Sequence, residues 1–229
     1  MLILAVDTSS PSGSIAVLRG EKVIGVVSTT TEETYSSRMF RQLDFLLAEL
    51  RLTQNKFDLF AVNSGPGSFT GLRVGLTAAK GWAEAYSKPV GAISGLEAVA
   101  AQSRSGPVLV PVIDARRGQL YFGFYRREQT RLRRQGDERV ATPEEFLAAL
   151  AQVPAYHETA LVSPDADIMT RVSAQSPMLT YERVSSVLAP TIGQLAYQRA
   201  ERGEVVDALT LDANYVRRSD AELHWKGPS

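Results

Sequence analysis

The chain has 229 residues, room for one large domain or two small ones, and its 44% apolar content suits a well-packed globular interior. Its 25 basic side chains balance its 25 acidic ones, so no global positive field recruits nucleic acid, and the lack of cysteine excludes disulfides, thiolate catalysis and cysteine–zinc sites. No run approaches the roughly 20 apolar residues of a membrane span, and Met1 to Asp7 lacks the basic flank of a signal peptide, so the expected location is the cytoplasm.

Leu2 to Val6 reads as a buried strand ending in Asp7. A turn over Thr8 to Gly13 leads into strands at Ser14 to Leu18 and Val23 to Val27, which makes a three-stranded meander. Met39, Phe40, Leu43, Leu46, Leu47 and Leu50 recur at helical spacing, so Tyr35 to Leu50 is an amphipathic helix. Leu59 to Val62 is a strand, followed by the glycine-rich stretch Ser64 to Gly81 and its helix over Thr70 to Tyr86. Pro89 to Ile93 is a further strand, and Ser94 with Glu97 forms a capping box for a helix to about Ser103.

The glycine-rich stretch admits two readings. A helix N-terminus after such a turn can cradle phosphate, because free N–H groups and the helix dipole attract anions. It can equally be a tight turn that lets a helix pack closely, with Ser68 or Thr70 as its cap. The phosphate-binding lysine and hydroxyl pair is missing, since Gly71 is followed by Leu72 and Arg73.

Gln102 to Pro107 is polar and ends in Gly-Pro, and it divides the chain into segments 1–103 and 104–229. The pattern then restarts. Val108 to Ile113 is a strand ending in Asp114, a turn over Ala115 to Gly118 follows, and Tyr121 to Tyr125 forms a second strand with aromatic alternation. Strand–aspartate–turn–strand therefore occurs twice, as a weak internal repeat. Helices are predicted from the Thr142–Glu145 capping box to Leu150, over Asp165 to Ala174, and from Pro190 to Arg202, with a strand at Thr159 to Val162. Arg131, Arg133 and Arg134 read as a solvated hairpin tip rather than an RNA contact.

These pieces resemble the TsaB (YeaZ) family. The motifs that carry the resemblance are Ile3 to Ser9, Gly65 to Gly75, Ile113 to Gly118 and Tyr215 to Arg217, in order along the whole chain. The second is long and specific. The resemblance implies an α/β fold of two related actin-like or sugar-kinase-like (ribonuclease H-like) lobes on mixed sheets. It also implies a non-catalytic role in making N6-threonylcarbamoyladenosine at position 37 of tRNAs that read A-starting codons. The implied partners are the catalytic paralogue TsaD, the ATPase TsaE, tRNA through the complex, and a second copy of the chain when alone. ATP or ADP with magnesium is expected only within such a complex.

The residues support a non-catalytic reading. A catalytic paralogue needs a His-x-x-x-His pair on the helix after the first meander, because that spacing puts both imidazoles on one face. The comparable helix here opens Tyr35-Ser36-Ser37-Arg38-Met39. The two histidines, His157 and His224, are far apart in sequence and poor metal candidates. Asp7 and Asp114 sit where two-lobed ATPases place magnesium-handling carboxylates, or they cap their own turns. The first option would make the chain an independent ATPase or phosphotransferase. A ribonuclease H-like nuclease would need more clustered acids than are seen, and a peptidase finds no histidine near a serine. The expected partner contact is Met39, Phe40, Leu43 and Leu47 on the first helix, with Arg73, Leu76 and Lys80 on the second.

Overall fold

The computed structural model describes residues 1–31, 33–129, 131–153, 158–174 and 179–217. Its first sheet is built from β1 (Leu2–Asp7), β2 (Ser14–Arg19), β3 (Lys22–Ser28), β4 (Leu59–Gly65) and β5 (Val90–Ser94), in the order β3-β2-β1-β4-β5. β1 runs antiparallel to β2 and parallel to β4, and β4 runs parallel to β5. The helices of this half are α1 (Tyr35–Leu50), α2 (Phe69–Tyr86) and α3 (Gly95–Gln102).

The second sheet repeats this scheme. β6 (Val108–Asp114) pairs antiparallel with β7 (Leu120–Phe122) and β8 (Tyr125–Glu128), and parallel with β11 (Thr159–Ser163), which pairs parallel with β12 (Thr180–Arg183). β9 (Arg131–Arg134) joins β8 as a hairpin, and β10 (Arg139–Ala141) joins β7. Two sheets built on the same pairing scheme, each with a mix of parallel and antiparallel neighbours, form the actin-like, ribonuclease H-like α/β fold. The internal repeat is thus real at the level of strand pairing.

Three apolar clusters define the layers. α1 and α2 cover the outer face of the first sheet through Met39, Leu43, Leu72 and Leu76. α4 (Pro143–Leu150) and α5 (Ala166–Ser173) cover the outer face of the second sheet through Phe146, Leu150, Ile168 and Val172. α3 and α6 (Ala189–Glu201) fill the space between the sheets. α6 follows the second sheet in sequence yet packs against β1, β2 and β5 of the first. A Cβ at Gly193 would overlap Leu18, so the missing side chain is what lets this helix lie so close.

Two strands depart from expectation. The segment expected as one strand over Tyr121 to Tyr125 is interrupted at Gly123 and Phe124, and its halves pair with opposite ends of β6. β9 carries three arginines in four residues, so it lacks the apolar alternation that marks a strand, and its partner β8 defines it instead. The capping boxes differ from each other. Thr142 and Glu145 satisfy both halves. Ser94 caps α3 by accepting from the N–H groups of Leu96 and Glu97, while the Glu97 carboxylate turns to Arg199.

Candidate functional site

β1 delivers Asp7 to a fully buried position at the end of the first sheet. Asp7 Oδ1 accepts the Ser9 N–H at 3.0 Å and Asn63 Nδ2 at 2.9 Å, the latter from β4. Asn63 also donates to Ser9 Oγ, and its Oδ1 accepts the Gly65 N–H, so one amide ties the first turn to the glycine-rich turn. Asp7 Oδ2 is buried and has no partner among the described residues; the same holds for Tyr35 Oη and Arg38 Nε at the start of α1. Arg38 lies over the Tyr35 ring at 4.0 Å and donates to the carbonyls of Thr29 and Pro11. Burial pushes the Tyr35 hydroxyl up to about 12.

The glycine-rich stretch packs shut against this turn. Ser68 donates its N–H to the Ser9 carbonyl and caps α2 by accepting from Gly71. A Cβ at Gly67 would lie 2.6 Å from Ser9 Cβ, and one at Gly71 would overlap the Thr8 carbonyl oxygen. Gly65 has φ of +119°, and a Cβ there would lie 2.5 Å from the Asn214 carbonyl oxygen. The glycines serve close backbone approach, as the tight-turn reading expects, and the space a phosphate would take is filled by Thr8, Ser9 and Asn214.

Asp114 is half-buried at the matching end of β6. Its Oδ1 accepts the Arg116 N–H at 2.8 Å and its Oδ2 faces the Arg116 guanidinium at 3.5 Å, so it caps its own turn. Asp7 is sealed from solvent, and Asp114 caps its own turn, as the turn-capping reading of both expects. Among the described residues no three acidic or histidine side chains gather to hold a metal. His157 and His224 lie outside the described residues.

Burial holds the Asp7 carboxyl above its ordinary value of 3.8, against the lowering effect of its hydrogen bonds to Ser9 and Asn63. The folded pKa therefore exceeds the unfolded one. The associated stability is fully present below the unfolded pKa and is lost as pH rises through the folded one. Asp7→Asn keeps the Oδ1 acceptor and removes the buried charge. It is expected to raise stability at pH 7 by on the order of 1 kcal/mol, about 2–4 °C in Tm. The gap over the parent should close as pH falls toward about 4. Thermal melts of both chains across pH 4–8 check this, and a gap that widens toward acid would refute it.

The predicted contact residues separate into two groups. Met39 and Leu43 are fully buried, and Leu47 and Leu76 nearly so, all inside the cluster beneath α1 and α2. They are core residues, because the apolar stripe at helical spacing is the face each helix turns to its own sheet. Phe40, Arg73 and Lys80 do reach the surface; Phe40 is 51% exposed and meets the Trp82 ring edge-on. Phe45, 60% exposed, is five residues further along α1 and so lies about 140° around the helix from Phe40, on the opposite flank of the buried stripe. Arg73 stacks on Phe69 at 3.9 Å and donates to Tyr215 Oη at 3.4 Å, so the Tyr215 motif of the C-terminal segment clamps the start of α2. Missed in the sequence was Glu138, a buried carboxylate that accepts from Ser94 Oγ, Tyr125 Oη and Asn214 Nδ2.

The family model described as TsaD, tRNA N6-adenosine threonylcarbamoyltransferase, matches residues 16–191. A Bacillus subtilis protein named tRNA threonylcarbamoyladenosine biosynthesis protein TsaB is 30% identical over 229 residues, covering 98% of each chain. The Haemophilus influenzae protein of the same name is 38% identical over 135 residues, 57% of this chain and 56% of that one. Among solved structures, YeaZ from Pseudomonas aeruginosa superposes with a TM-score of 0.75 at 26% identity, covering 93% of this chain and all of that one. The chain belongs to the TsaB (YeaZ) family of tRNA threonylcarbamoyladenosine biosynthesis proteins, matched over nearly its whole length.

Proposed function

We propose that this chain is a non-catalytic scaffold subunit for the formation of threonylcarbamoyladenosine in tRNA. It acts by presenting the outer surface of α1 and α2 to a TsaD-type catalytic paralogue, with a TsaE-type ATPase joining the assembly. Alone, it pairs with a second copy through the same surface. The observation that carries this reading is the pairing of a sealed Asp7 with two uncovered aromatic side chains on α1. The superfamily carboxylate cannot reach solvent, while Phe40 and Phe45 stand 51% and 60% exposed on one helix. Large aromatic side chains of this kind anchor interfaces by filling partner pockets. Tyr35 and Met39 occupy the spacing at which a catalytic paralogue carries its histidine pair, and neither is a strong metal ligand.

Co-purification with the TsaD-type protein of the same organism tests the reading, together with a transfer assay with and without this chain. Phe40→Glu and Phe45→Glu are each expected to weaken the complex at least tenfold, about 1.4 kcal/mol or more. Neither residue is buried, so the melting temperature of the isolated chain should hold within a few degrees. Transfer by this chain with no paralogue present would refute the scaffold role. An intact complex in the double variant would refute the surface.

A further inference from the structure

Between the two sheets lies a cavity of about 570 Å3, walled by α3, α6 and the β8–β9 hairpin. Its size falls within the about 300–1,000 Å3 typical of small-ligand sites. Neither Asp7 nor Asp114 lines it. Five arginines converge on it: Arg127 from β8, Arg131 and Arg134 from β9, Arg199 from α6 and Arg202 just past its C-terminal end. The acidic side chains of its wall are Glu97 and Glu204, which leaves a formal surplus of three positive charges.

The ion pairs leave this surplus in place. Glu204 serves both Arg131 and Arg202, at 3.1 and 2.9 Å. Glu97 is taken by Arg199. Arg127 donates to the Ser103 carbonyl, a neutral partner. Arg134 makes no ion pair among the described residues, although it lies near enough to Glu97 to favour its charged form. The β8–β9 register explains how two of the arginines are aimed: Arg134 is opposite the buried Tyr125, and Arg127 opposite Leu132, all four on the cavity side, whereas Arg131, opposite Glu128 at the end of the hairpin, reaches the cavity rim through its ion pair with Glu204. Arg126 and Arg133 face each other on the other side of the hairpin. A chain of zero net charge has thus concentrated cationic side chains in one concave space, with hydroxyls of Ser94 and Thr191 and the apolar Leu132 and Leu195 completing the wall.

Guanidinium groups hold phosphate oxygens through paired, charge-assisted hydrogen bonds, and several around a concavity select for ligands with more than one phosphate. We infer that this inter-sheet cavity binds a small polyphosphate-bearing ligand, of the size of a nucleoside di- or triphosphate. Binding is set by phosphate number, needs no magnesium held by Asp7, and belongs to the isolated chain, independent of the scaffold role.

Calorimetry on the full chain tests this with tripolyphosphate, ATP, ADP and AMP, each with and without magnesium. Expected is one-site saturable binding that tightens from AMP to ADP to ATP, with tripolyphosphate binding as well. Arg134→Glu is expected to weaken it at least tenfold, and Arg131→Glu, which leaves Glu204 to Arg202 alone, by a similar factor. Arg133→Glu and Asp7→Asn should leave it within twofold, and thermal melts confirm that each variant is folded. The inference is overturned if tripolyphosphate and ATP show no saturable binding, if Arg133→Glu costs as much as Arg134→Glu, or if Asp7→Asn abolishes binding. It is also overturned if an RNA stem-loop binds through Arg134 while the small polyphosphates do not.

Discussion

Gly71→Ala is expected to lower stability by on the order of 3 kcal/mol, a fall of about 6–12 °C in melting temperature. The added methyl would overlap the Thr8 carbonyl oxygen, and that residue cannot step aside. Thr8 Oγ1 donates to the Gly71 carbonyl at 2.7 Å, and a Cβ four residues on, at Gly75, would lie 2.5 Å from the same hydroxyl. The Thr8–Ser9 turn is therefore clamped along one edge of α2, and the next residue on, Ser9, is held by Asn63 and by the Ser68 N–H. Any shift of Thr8 would also move Asp7 and its hydrogen bonds. Gly81 is the internal control, since it sits on the same helix and its Cβ would meet nothing within 4 Å. There the same substitution is expected to stabilise by about 0.5–1 kcal/mol, because glycine in a helix interior gives up more backbone entropy than alanine. Thermal or urea unfolding of the two variants should place them on opposite sides of the parent. If Gly71→Ala melts with Gly81→Ala, the close contact between α2 and the first turn is not a constraint on the fold.

The contrast between those glycines bears on what the sequence could disclose. Three glycines and a proline between Gly65 and Gly71 mark a turn of unusual backbone, yet the composition is the same whether the space is meant for a phosphate or for another piece of chain. What fills it, Thr8 and Asn214, lies 63 residues before and 143 after Gly71, and no local pattern reports such a pairing. The strands were legible where they are buried on both faces and therefore continuously apolar, as β1, β4 and β6 are. β9 was not, because three arginines in four residues leave no apolar alternation to read, and its pairing with β8 is what makes it a strand. The helices were legible in extent but not in orientation. The stripe Met39, Leu43, Leu47 was bound to mark the core, and the large side chains left exposed are the aromatic residues off that stripe, Phe40 and Phe45. Glu138 had no signal at all. In the run Gly136-Asp137-Glu138-Arg139 it reads as one more solvated charge, and only the tertiary structure brings three donors to it.

Glu138→Ala is expected to be among the most damaging single changes outside the apolar core, on the order of 4 kcal/mol and about 8–16 °C in melting temperature. Ser94 ends β5 of the first sheet and caps α3, Tyr125 stands on β8 of the second sheet, and Asn214 belongs to the C-terminal segment. One carboxylate therefore joins the two sheets and the segment that closes over them. Asn214 in turn donates its N–H to the Ser64 carbonyl at 2.7 Å, which carries the tie to the end of β4. No cation pairs with Glu138 among the described residues, so its charge is carried by these three hydrogen bonds, and losing it leaves the buried Tyr125 hydroxyl without an acceptor. A buried donor stripped of its partner costs about 1–3 kcal/mol, and the three donors here are stripped together. Glu138→Gln separates the hydrogen bonds from the charge. It retains Oε1 for Ser94 and Tyr125 and turns an amide toward Asn214, whose own amide can rotate to accept, so its cost should stay near 1 kcal/mol. Hydrogen exchange gives the more specific readout. In the alanine variant, protection should fall at the start of α3 and at Asn214, on two elements far apart in sequence, while the centre of β1 keeps its protection until global unfolding. A Glu138→Ala chain that melts with the parent, or that loosens only the turn around residue 138, would mean that the two sheets are held by their apolar contacts alone. Ser94, Tyr125 and Asn214 all line the inter-sheet cavity, so the same variant should also loosen the walls on which the arginines are mounted.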